Sequence, residues 1–450
     1  MHRARSLFYS LLVKDAPERE KVWGYTCIPQ SQKTAAGKEP LLTSLKLNNA
    51  SIPFSIGWEM NTIIPELHHQ WSSNDASTNE LLVTGHVEGQ EYELIRVDNN
   101  RVCLNFDFLQ YESFLLNEDY YQRHPPISSR LPFKYTHIPV ELRNYLLRLR
   151  KWKEQLLNQI LKRTIFPAWP IEASLDAIRW IIYSQAARLA GINLNPKPYP
   201  GGKKFGAIVT HDLETADGLR WIESFRRIER EYGIHSAWSI ISHRYFTSDK
   251  ILENLLSEGC EILSHGYLHD GKLPYLRRSE MKDRLQRLFV DKPWLADYVK
   301  GFRCGQLLRS PMLSEEVSRH FLYDLSVPDT EKYGVYRQSR GCTSVFPFYN
   351  PFGTLEIPLT MPQDFILKHV HHYPEDKILQ IWKYKIDYIS QIGGVAVLDV
   401  HPDPYISGNE VMLKVYDELL TYLVKKGACF LTPRAAYTLF GTCDNKREGD

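Results

Sequence analysis

Long apolar runs are missing from this sequence of 450 residues, and their absence excludes integral membrane proteins built from helices. No stretch approaches the roughly 18 uninterrupted apolar residues that a membrane-spanning helix needs. The amino-terminal segment M-H-R-A-R-S-L-F-Y-S-L-L-V-K-D has an apolar run too short for a signal peptide, and no small-residue cleavage site follows it. We therefore expect no membrane span and a cytoplasmic location.

A cysteine framework and a strong net charge are missing as well. The seven cysteines are odd in number, scattered, and never spaced as C-x-x-C, which favours reduced thiols and excludes a zinc-finger framework. The formal net charge of +2 argues against nucleic acid or another polyanion as the main partner. The hydrophobic fraction of 43% is near the globular average, so the chain is able to bury a sizeable core.

The best candidate for a domain boundary is N-P-K-P-Y-P-G-G-K-K at 195–204, where closely spaced prolines and glycines interrupt regular structure. Before it, residues 1–195 have the pattern of a mixed α+β extension of unknown role. Short strands joined by turns at 88–89 and 99–100 are predicted within 81–108, and helical spacing covers 139–162 and 172–190. Residues 196–440 are predicted to form a second domain.

In this second domain, strand patterns alternate with helix patterns. Such alternation predicts parallel strands joined by crossover helices, in either an open sheet or a barrel. The predicted strands are 206–211, 235–241, 260–264, 298–303, 321–326, 354–359, 395–400 and 428–431. The predicted helices are 217–232, 248–258, 278–291, 311–319, 374–392 and 409–426. In folds of this kind the catalytic and ligand-binding residues lie at the carboxyl ends of the strands.

Two carboxylates close the first of these strands, in A-I-V-T-H-D-L-E-T-A at 207–216. Asp212 and Glu214 are two residues apart and therefore point to the same side of a strand. Like charges at this spacing repel unless a cation or a proton lies between them. The pair predicts a metal site or a shared proton, and the alternative is an ordinary polar strand end in solvent.

Other ionisable residues follow the later strands. His265 and His269 are four residues apart, a spacing that places two imidazoles within reach of one metal ion if the backbone makes a helical turn. Single polar strand ends are usually caps or salt bridges, but their coincidence at one edge favours a catalytic site. The remaining residues at predicted strand ends are Arg303, Asp324, Asp399, His401 and Asp403.

The order of these motifs resembles the NodB-type polysaccharide deacetylases, carbohydrate esterase family 4. That family has an acidic pair, then H-x-x-x-H, an Arg-containing strand end, an Asp-containing segment and a late Leu-x-His. The corresponding stretches are T-H-D-L-E-T (210–215), S-H-G-Y-L-H-D (264–270), G-F-R-C-G (301–305), Y-D-L-S-V-P-D (323–329) and L-D-V-H-P-D (398–403). The resemblance covers about 205–435, and G-C-T-S-V-F-P-F, L-E-I-P-L-T-M-P-Q-D and W-P-I-E are similar to a bacterial branch with an N-terminal extension.

The resemblance implies an α/β fold, a distorted (β/α) barrel of about seven strands, and a divalent metal ion with zinc as the default. On the family pattern Glu214, His265 and His269 are the metal ligands. Asp212 is the general base, and Arg303 orients it and keeps it ionised. His401 protonates the leaving amine, and either Asp324 or Asp403 tunes the pKa of His401.

The implied activity is removal of an N-acetyl group from an amino sugar in a polysaccharide or its precursor. The sequence departs from the family pattern in its D-x-E pair, so Asp212 instead of Glu214 is an alternative ligand, and in Cys304-Gly305 after Arg303, where the family has a proline. Two other functions stay open. One is a deformylase or amidohydrolase acting on a lipid-linked sugar or small amide, and the other is a non-catalytic carbohydrate-binding module.

Overall fold

The computed structural model describes residues 5–6, 41–47, 50–56, 79–87, 90–98, 101–104, 108–120, 149, 166–189, 199–332 and 339–441. The chain forms two compact units. One comprises Met1–Leu7, Glu118–Glu172 and Pro198–Asp450, and the other comprises Phe8–Asn117 and Ala173–Lys197. The predicted helix at 139–162 lies outside the described residues except for residue 149.

The strands, in chain order, are β1 (Arg5–Ser6), β2 (Leu41–Leu47), β3 (Ala50–Ile56), β4 (Asn79–Val87), β5 (Gln90–Asp98), β6 (Arg101–Leu104), β7 (Phe205–Asp212), β8 (Ala237–Ile240), β9 (Glu261–Ser264), β10 (Gly301–Phe302), β11 (Tyr323–Asp324), β12 (Phe348–Tyr349), β13 (Leu355–Glu356), β14 (Val395–Asp399) and β15 (Ala428–Phe430). The α-helices are α1 (Phe108–Leu116), α2 (Ser174–Leu189), α3 (Ile222–Glu231), α4 (Asp249–Ser257), α5 (Arg278–Asp291), α6 (Pro311–Val317), α7 (Glu375–Ile392), α8 (Glu410–Lys426) and α9 (Pro433–Gly441).

The smaller unit has a five-stranded sheet in the order β2-β3-β6-β5-β4. Its strands pair antiparallel except for β3 and β6, which are parallel. Strand β4 ends at Val87 and β5 begins at Gln90, and β6 follows after Asp98, so the strands flank the two predicted turns. The prediction of short strands in this part of the chain is confirmed.

The larger unit contains a curled sheet with seven parallel strands in the order β13-β11-β10-β9-β8-β7-β14. Strand β15 also runs parallel to β7, while β12 and β1 add antiparallel pairs at the other edge. All eight residues of β7 are buried, as expected for a parallel strand whose two faces are both covered. The α/β fold and the distorted barrel of about seven strands are therefore confirmed.

The stretch after β13 joins the two ends of this parallel set. Backbone hydrogen bonds run from Leu359 N to Val327 O (2.7 Å) and from Met361 N to Val397 O (3.0 Å). The Thr360 hydroxyl donates to Val395 O at 2.7 Å. Residues 359–361 thus lie between the chain that follows β11 and strand β14, and the sheet curls round until its two edges are bridged.

The crossover helices lie close to their predicted positions. Helix α5 spans the predicted residues 278–291, and α8 ends at Gly427, whose φ of +87° is a left-handed conformation suited to glycine. The strands predicted at 298–303, 321–326 and 354–359 are shorter, with two paired residues each. Among the described residues no helix is both long enough and apolar enough to cross a membrane.

Residues 118–172 group with the barrel, which differs from the predicted division at residue 195. Arg309 pairs with Glu118 at 3.1 Å, the Tyr120 hydroxyl donates to Gly341 O at 2.6 Å, and the Lys385 ammonium donates to Pro170 O at 2.7 Å. These contacts tie both ends of the segment to the barrel. Whether 195–204 is the first site of cleavage in limited proteolysis stays a prediction.

Candidate active site

The end of β7 places its polar side chains on two sides of the strand. His211 is fully buried, with Nδ1 2.8 Å from Val400 O and Nε2 2.6 Å from Glu229 Oε1, so neither nitrogen is left for a metal ion. Its ring stacks on Trp238 at 4.3 Å. Because side chains alternate along a strand, Asp212 points the other way. Glu214 lies beyond the last residue of β7, and its Oε1 atom is 3.0 Å from His269 Nε2.

Asp212 is held by Arg303, which is fully buried. Arg303 Nη1 lies 2.9 Å from Asp212 Oδ1, 2.7 Å from the Thr210 hydroxyl and 3.0 Å from Asp399 Oδ1. Burial alone would raise the pKa of Asp212, but the Arg303 guanidinium and the nearby histidines lower it below its usual value. Asp212 is therefore a carboxylate at neutral pH, able to accept a proton.

Asp399 shows the opposite shift beside the same arginine. Burial and the charge of Asp212 raise the pKa of Asp399 to about 6, although Arg303 opposes this. Gln363 donates to Asp399 Oδ2 at 2.6 Å. Two carboxylates share one guanidinium here, and Asp212 has the lower pKa of the two.

The three predicted metal ligands come together. Ligand atoms of Glu214, His265 and His269 all lie within 4.8 Å of one another. His265 Nδ1 lies 3.0 Å from Arg303 O, and because a carbonyl only accepts, Nδ1 carries the proton and Nε2 is left with its lone pair. His265 Nε2 is buried without a hydrogen-bond partner. His269 Nε2 lies 3.0 Å from Glu214 Oε1.

This arrangement fits a divalent metal ion. Two imidazoles and a carboxylate form the donor set of many catalytic zinc sites, and such sites keep one position for water and substrate. A buried imidazole nitrogen without a partner is costly unless a ligand satisfies it, and His265 Nε2 is such an atom. Burial would raise the pKa of Glu214, but His269 and His401 lower it below its usual value, so Glu214 is an anionic donor.

The loop geometry around His269 explains part of the local sequence. His269 has a φ of +52°, so the histidine pair is presented from a turn and not from the helical turn that its spacing suggested. A Cβ atom at Gly305 would lie only 2.4 Å from His269 Cδ2. The family pattern has a proline after its arginine, where this chain has Cys304-Gly305. Glycine at position 305 lets the His269 imidazole lie against the backbone that follows Arg303.

His401 lies beside Glu214 and Asp399 and is oriented by Asp364. His401 Nε2 is 3.9 Å from both Glu214 Oε1 and Asp399 Oδ2. Its Nδ1 is 2.6 Å from Asp364 Oδ1, and its backbone N–H donates to Asp364 Oδ2 at 2.8 Å. The Ser407 hydroxyl also donates to that oxygen at 2.6 Å. Burial would lower the pKa of His401, but the carboxylates of Asp364 and Asp399 raise it well above its usual value.

The two carboxylates expected to tune His401 have other partners. Asp324 Oδ1 accepts from the backbone N–H and the hydroxyl of Ser326, and burial together with Glu356 raises its pKa to about 7. Asp403 accepts from the Thr215 hydroxyl and from Glu214 N, the latter at 3.2 Å. Neither makes a hydrogen bond or ion pair with His401 among the described contacts. Asp403 instead fixes the backbone that carries Glu214.

Sequence reasoning missed the role of Asp364. Asp364 ends the segment T-M-P-Q-D at 360–364, whose only signal in the sequence is its family resemblance. Asp364 follows the residues that bridge β13 and β14, so the closure of the sheet brings it to His401. Apart from Asp324, the predicted site residues lie in one connected cluster at the carboxyl ends of β7, β9, β10 and β14.

Comparisons with solved structures find remote similarities to part of the chain. A putative polysaccharide deacetylase from Mycobacterium smegmatis is 16% identical, with 57% of this chain and 99% of that chain covered and a TM-score of 0.45. A probable polysaccharide deacetylase from Pseudomonas aeruginosa is 12% identical, with 56% and 95% covered and a TM-score of 0.45. A family 4 pseudoenzyme from Bacillus anthracis is 15% identical, with 55% and 71% covered and a TM-score of 0.36.

These likenesses are remote, and the description of the fold rests on the strand pairing above. No protein-family model matches the chain, and no curated protein matches it.

Proposed function

We propose that this protein is a metal-dependent amide hydrolase that removes an N-acetyl group from an amino sugar. The observation that supports this most is the juxtaposition of three groups in one buried cluster. A donor trio of metal-ligand type (two imidazoles and one carboxylate), an ionised Asp212 and a carboxylate-paired His401 lie side by side. Hydrolysis of an amide needs a Lewis acid, a base and an acid, and each has a candidate here.

The proposed metal site comprises Glu214, His265 and His269, with zinc as the default ion. An ion held there supplies Lewis-acid polarisation of the amide carbonyl and acidifies the attacking water. The chain's contribution is to fix the ligands. Arg303 O holds the His265 tautomer, and Asp403 holds the backbone of Glu214.

Asp212 is proposed as the general base. Its Oδ1 is bound by Arg303, while Oδ2 lies 3.5 Å from His265 Nε2 and thus faces the trio. The charge of Arg303 keeps the carboxylate ionised and fixes its orientation, so the second oxygen is free to take a proton from water.

His401 is proposed as the general acid that protonates the departing amine. The Asp364 carboxylate accepts a hydrogen bond from the Nδ1–H group of His401. The Nε2–H group then points toward Glu214 and Asp399. The raised pKa of His401 keeps this proton in place at neutral pH. An amine is a poor leaving group without a proton, so the acid is required for amides above all.

The test uses purified protein loaded with zinc and a set of N-acetylated amino sugars, with acetate release as the readout. Asp212→Asn should keep the metal and lose turnover by a factor of about 10² to 10⁴. Glu214→Gln should instead lower the metal content, measured by elemental analysis. A swap of these two phenotypes would make Asp212 the ligand.

The same assay separates the alternatives. Release of formate, or turnover only of small non-sugar amides, would support the deformylase or amidohydrolase function. Stoichiometric sugar binding without turnover of any amide, in protein that contains its metal, would support a carbohydrate-binding module.

A further inference from the structure

The loop that follows β8, residues 241–247, is fixed against both halves of the proposed metal site. Ser242 N donates to Gly266 O at 3.1 Å and His243 N to Tyr267 O at 3.0 Å, just after His265. The Tyr245 hydroxyl donates to Leu213 O at 2.5 Å, just before Glu214. The loop therefore spans the gap between the chain segments that carry these two ligands.

Arg244 is the cation that this loop carries. Its side chain is half-buried, and its Nη1 atom is buried without a hydrogen-bond partner. Arg244 also makes no ion pair with any residue that the structure describes. Arg244 lies between His243 and Tyr245, whose hydrogen bonds to Tyr267 O and Leu213 O place this part of the loop beside the segments that carry His265 and Glu214.

Arg303 shows the contrasting case in the described part of the chain. Its Nη2 atom is also buried without a hydrogen-bond partner, but its Nη1 atom pairs with Asp212 at 2.9 Å and with Asp399 at 3.0 Å. Burying a charge is costly unless the charge is paired. A partly buried guanidinium that makes no ion pair with the described residues therefore indicates a binding site for an anion.

We propose that Arg244 binds an anionic group, a carboxylate or a phosphate, carried by the N-acylated sugar substrate. This inference rests on the proposed function and narrows its substrate class to acidic amino sugars or sugar phosphates. A guanidinium presents paired N–H donors that match both anions, and a fixed loop presents them at little entropic cost. Arg244 is a specificity residue, since it acts on a part of the substrate away from the amide.

The test measures binding and turnover separately with three probes: N-acetylglucosamine 1-phosphate, N-acetylmuramic acid and the neutral methyl glycoside of N-acetylglucosamine. Dissociation constants are measured by titration calorimetry on chelator-treated protein, so that the metal ion does not bind the anion. Acetate release is measured on zinc-loaded protein. The variants are Arg244→Gln, Arg244→Lys and the control Arg220→Gln, which removes an arginine with an 82% exposed side chain.

At least one anionic probe should bind the wild type about tenfold or more tightly than the neutral probe. Arg244→Gln should abolish that preference and leave binding of the neutral probe unchanged, Arg244→Lys should keep part of it, and Arg220→Gln should keep all of it. Preference for the phosphate or for the carboxylate probe identifies the anion.

Equal binding of all three probes to the wild type would overturn the proposal, as would an equal loss in Arg220→Gln and Arg244→Gln. If Arg244→Gln does not fold, the lysine variant and the probe preference of the wild type decide. An anion preference without acetate release would leave the anion site standing and refute the proposed hydrolysis. Acetate release without any anion preference would support the proposed hydrolysis and refute the anion site.

Discussion

His265 and His401 occupy two neighbouring positions in the site and differ in one partner. Both are buried, and in both the Nδ1 atom is held by an acceptor while Nε2 faces the cluster. For His265 the acceptor is the neutral carbonyl of Arg303, and for His401 it is the carboxylate of Asp364. Burial, with lesser effects of nearby charges, lowers the pKa of His265 to about 4, whereas Asp364 and Asp399 raise the pKa of His401 well above its usual value.

The difference shows how one residue type is held in two protonation states within one site. A neutral imidazole with a free lone pair suits a metal ligand, and an imidazolium suits a proton donor. The charge of the group behind the ring decides which form is present, because burial alone disfavours the charged form in both. Removal of each ring, removal of the carboxylate behind one ring, and neutralisation of a buried carboxyl elsewhere in the fold test this comparison in turn.

Loss of the His265 ring should have the largest effect. In His265→Ala the trio loses a ligand, so elemental analysis should find little bound metal in a folded protein. Amide hydrolysis should fall by more than the roughly 10² to 10⁴-fold that is typical of losing a general acid or base. The control is His235→Ala, which removes an exposed imidazole bonded to Glu258 O. Full metal occupancy in His265→Ala would contradict the ligand role.

Loss of the His401 ring should spare the metal and depend on the leaving group. His401→Ala should slow hydrolysis of an N-acetyl amino sugar by about 10² to 10⁴-fold, because the amine then departs without a proton. Hydrolysis of an activated aryl acetate should fall less than about tenfold, since its leaving group needs no proton. Equal losses on both substrates, together with lost metal, would show that His401 is a ligand.

Removing the charge of Asp364, which lies behind His401, should bring the pKa of His401 closer to that of His265. Asp364→Asn should lower the pKa of His401, so activity should be lost at lower pH on the alkaline side of the pH–rate profile. An acid must be protonated to act, which fixes the direction of this shift. We expect the rate at neutral pH to fall about 10- to 100-fold, as for other groups that orient a catalytic ring.

The matched control for this comparison is Asp324→Asn, because Asp324 was the carboxylate that the sequence suggested. Its described hydrogen bonds are with Ser326, so the alkaline limb should stay in place. A shift with Asp324→Asn and none with Asp364→Asn would restore the original expectation.

Glu261 isolates the effect of burial and should give the smallest change. It begins β9, four residues before His265, and it meets the Tyr323 hydroxyl and Arg434 N. Burial raises its pKa to about 7. A carboxyl with a raised folded-state pKa stabilises the protein below its unfolded pKa, and this contribution is lost as the pH rises through about 7.

Glu261→Gln should therefore raise the free energy of unfolding at pH 8 relative to the wild type, by on the order of 1–3 kcal/mol. The gain should vanish near pH 4.5, the ordinary pKa of the group. Urea denaturation at both pH values provides the measurement, with Glu253→Gln on the exposed face of α4 as the control. A variant less stable than wild type at pH 8 would show that the ionised form is the stabilising one.

Several features of the site were readable in the sequence because they depend on local spacing. The alternation that turns His211 and Asp212 to opposite sides follows from the two-residue period of β7. The approach of His265, Arg303 and His401 follows from the rule that parallel strands end at one edge. Helix α5 matched its predicted bounds because its apolar residues recur at helical spacing, as the burial of Met281, Leu285 and Leu288 shows.

The partner of His401 was not readable, although Asp403 is only two residues away. Proximity in sequence misled here, because the chain turns after His401 and sends Asp403 to Thr215 and Glu214. Asp364 is 37 residues from His401 and does not end a paired strand. Only the bridge of residues 359–361 between β13 and β14 brings it to the imidazole.

The sequence by itself therefore determined the order of the elements and the set of groups at the carboxyl edge of the sheet. Both depend on periods of two and about 3.6 residues, which act over short distances along the chain. The tertiary structure alone decided which carboxylate lies behind which histidine, and that Arg244 makes no ion pair with the residues that the structure describes. Those facts depend on how the sheet curls and where its loops cross. Because these contacts are buried, the partner of each ionisable group then determines whether that group is charged.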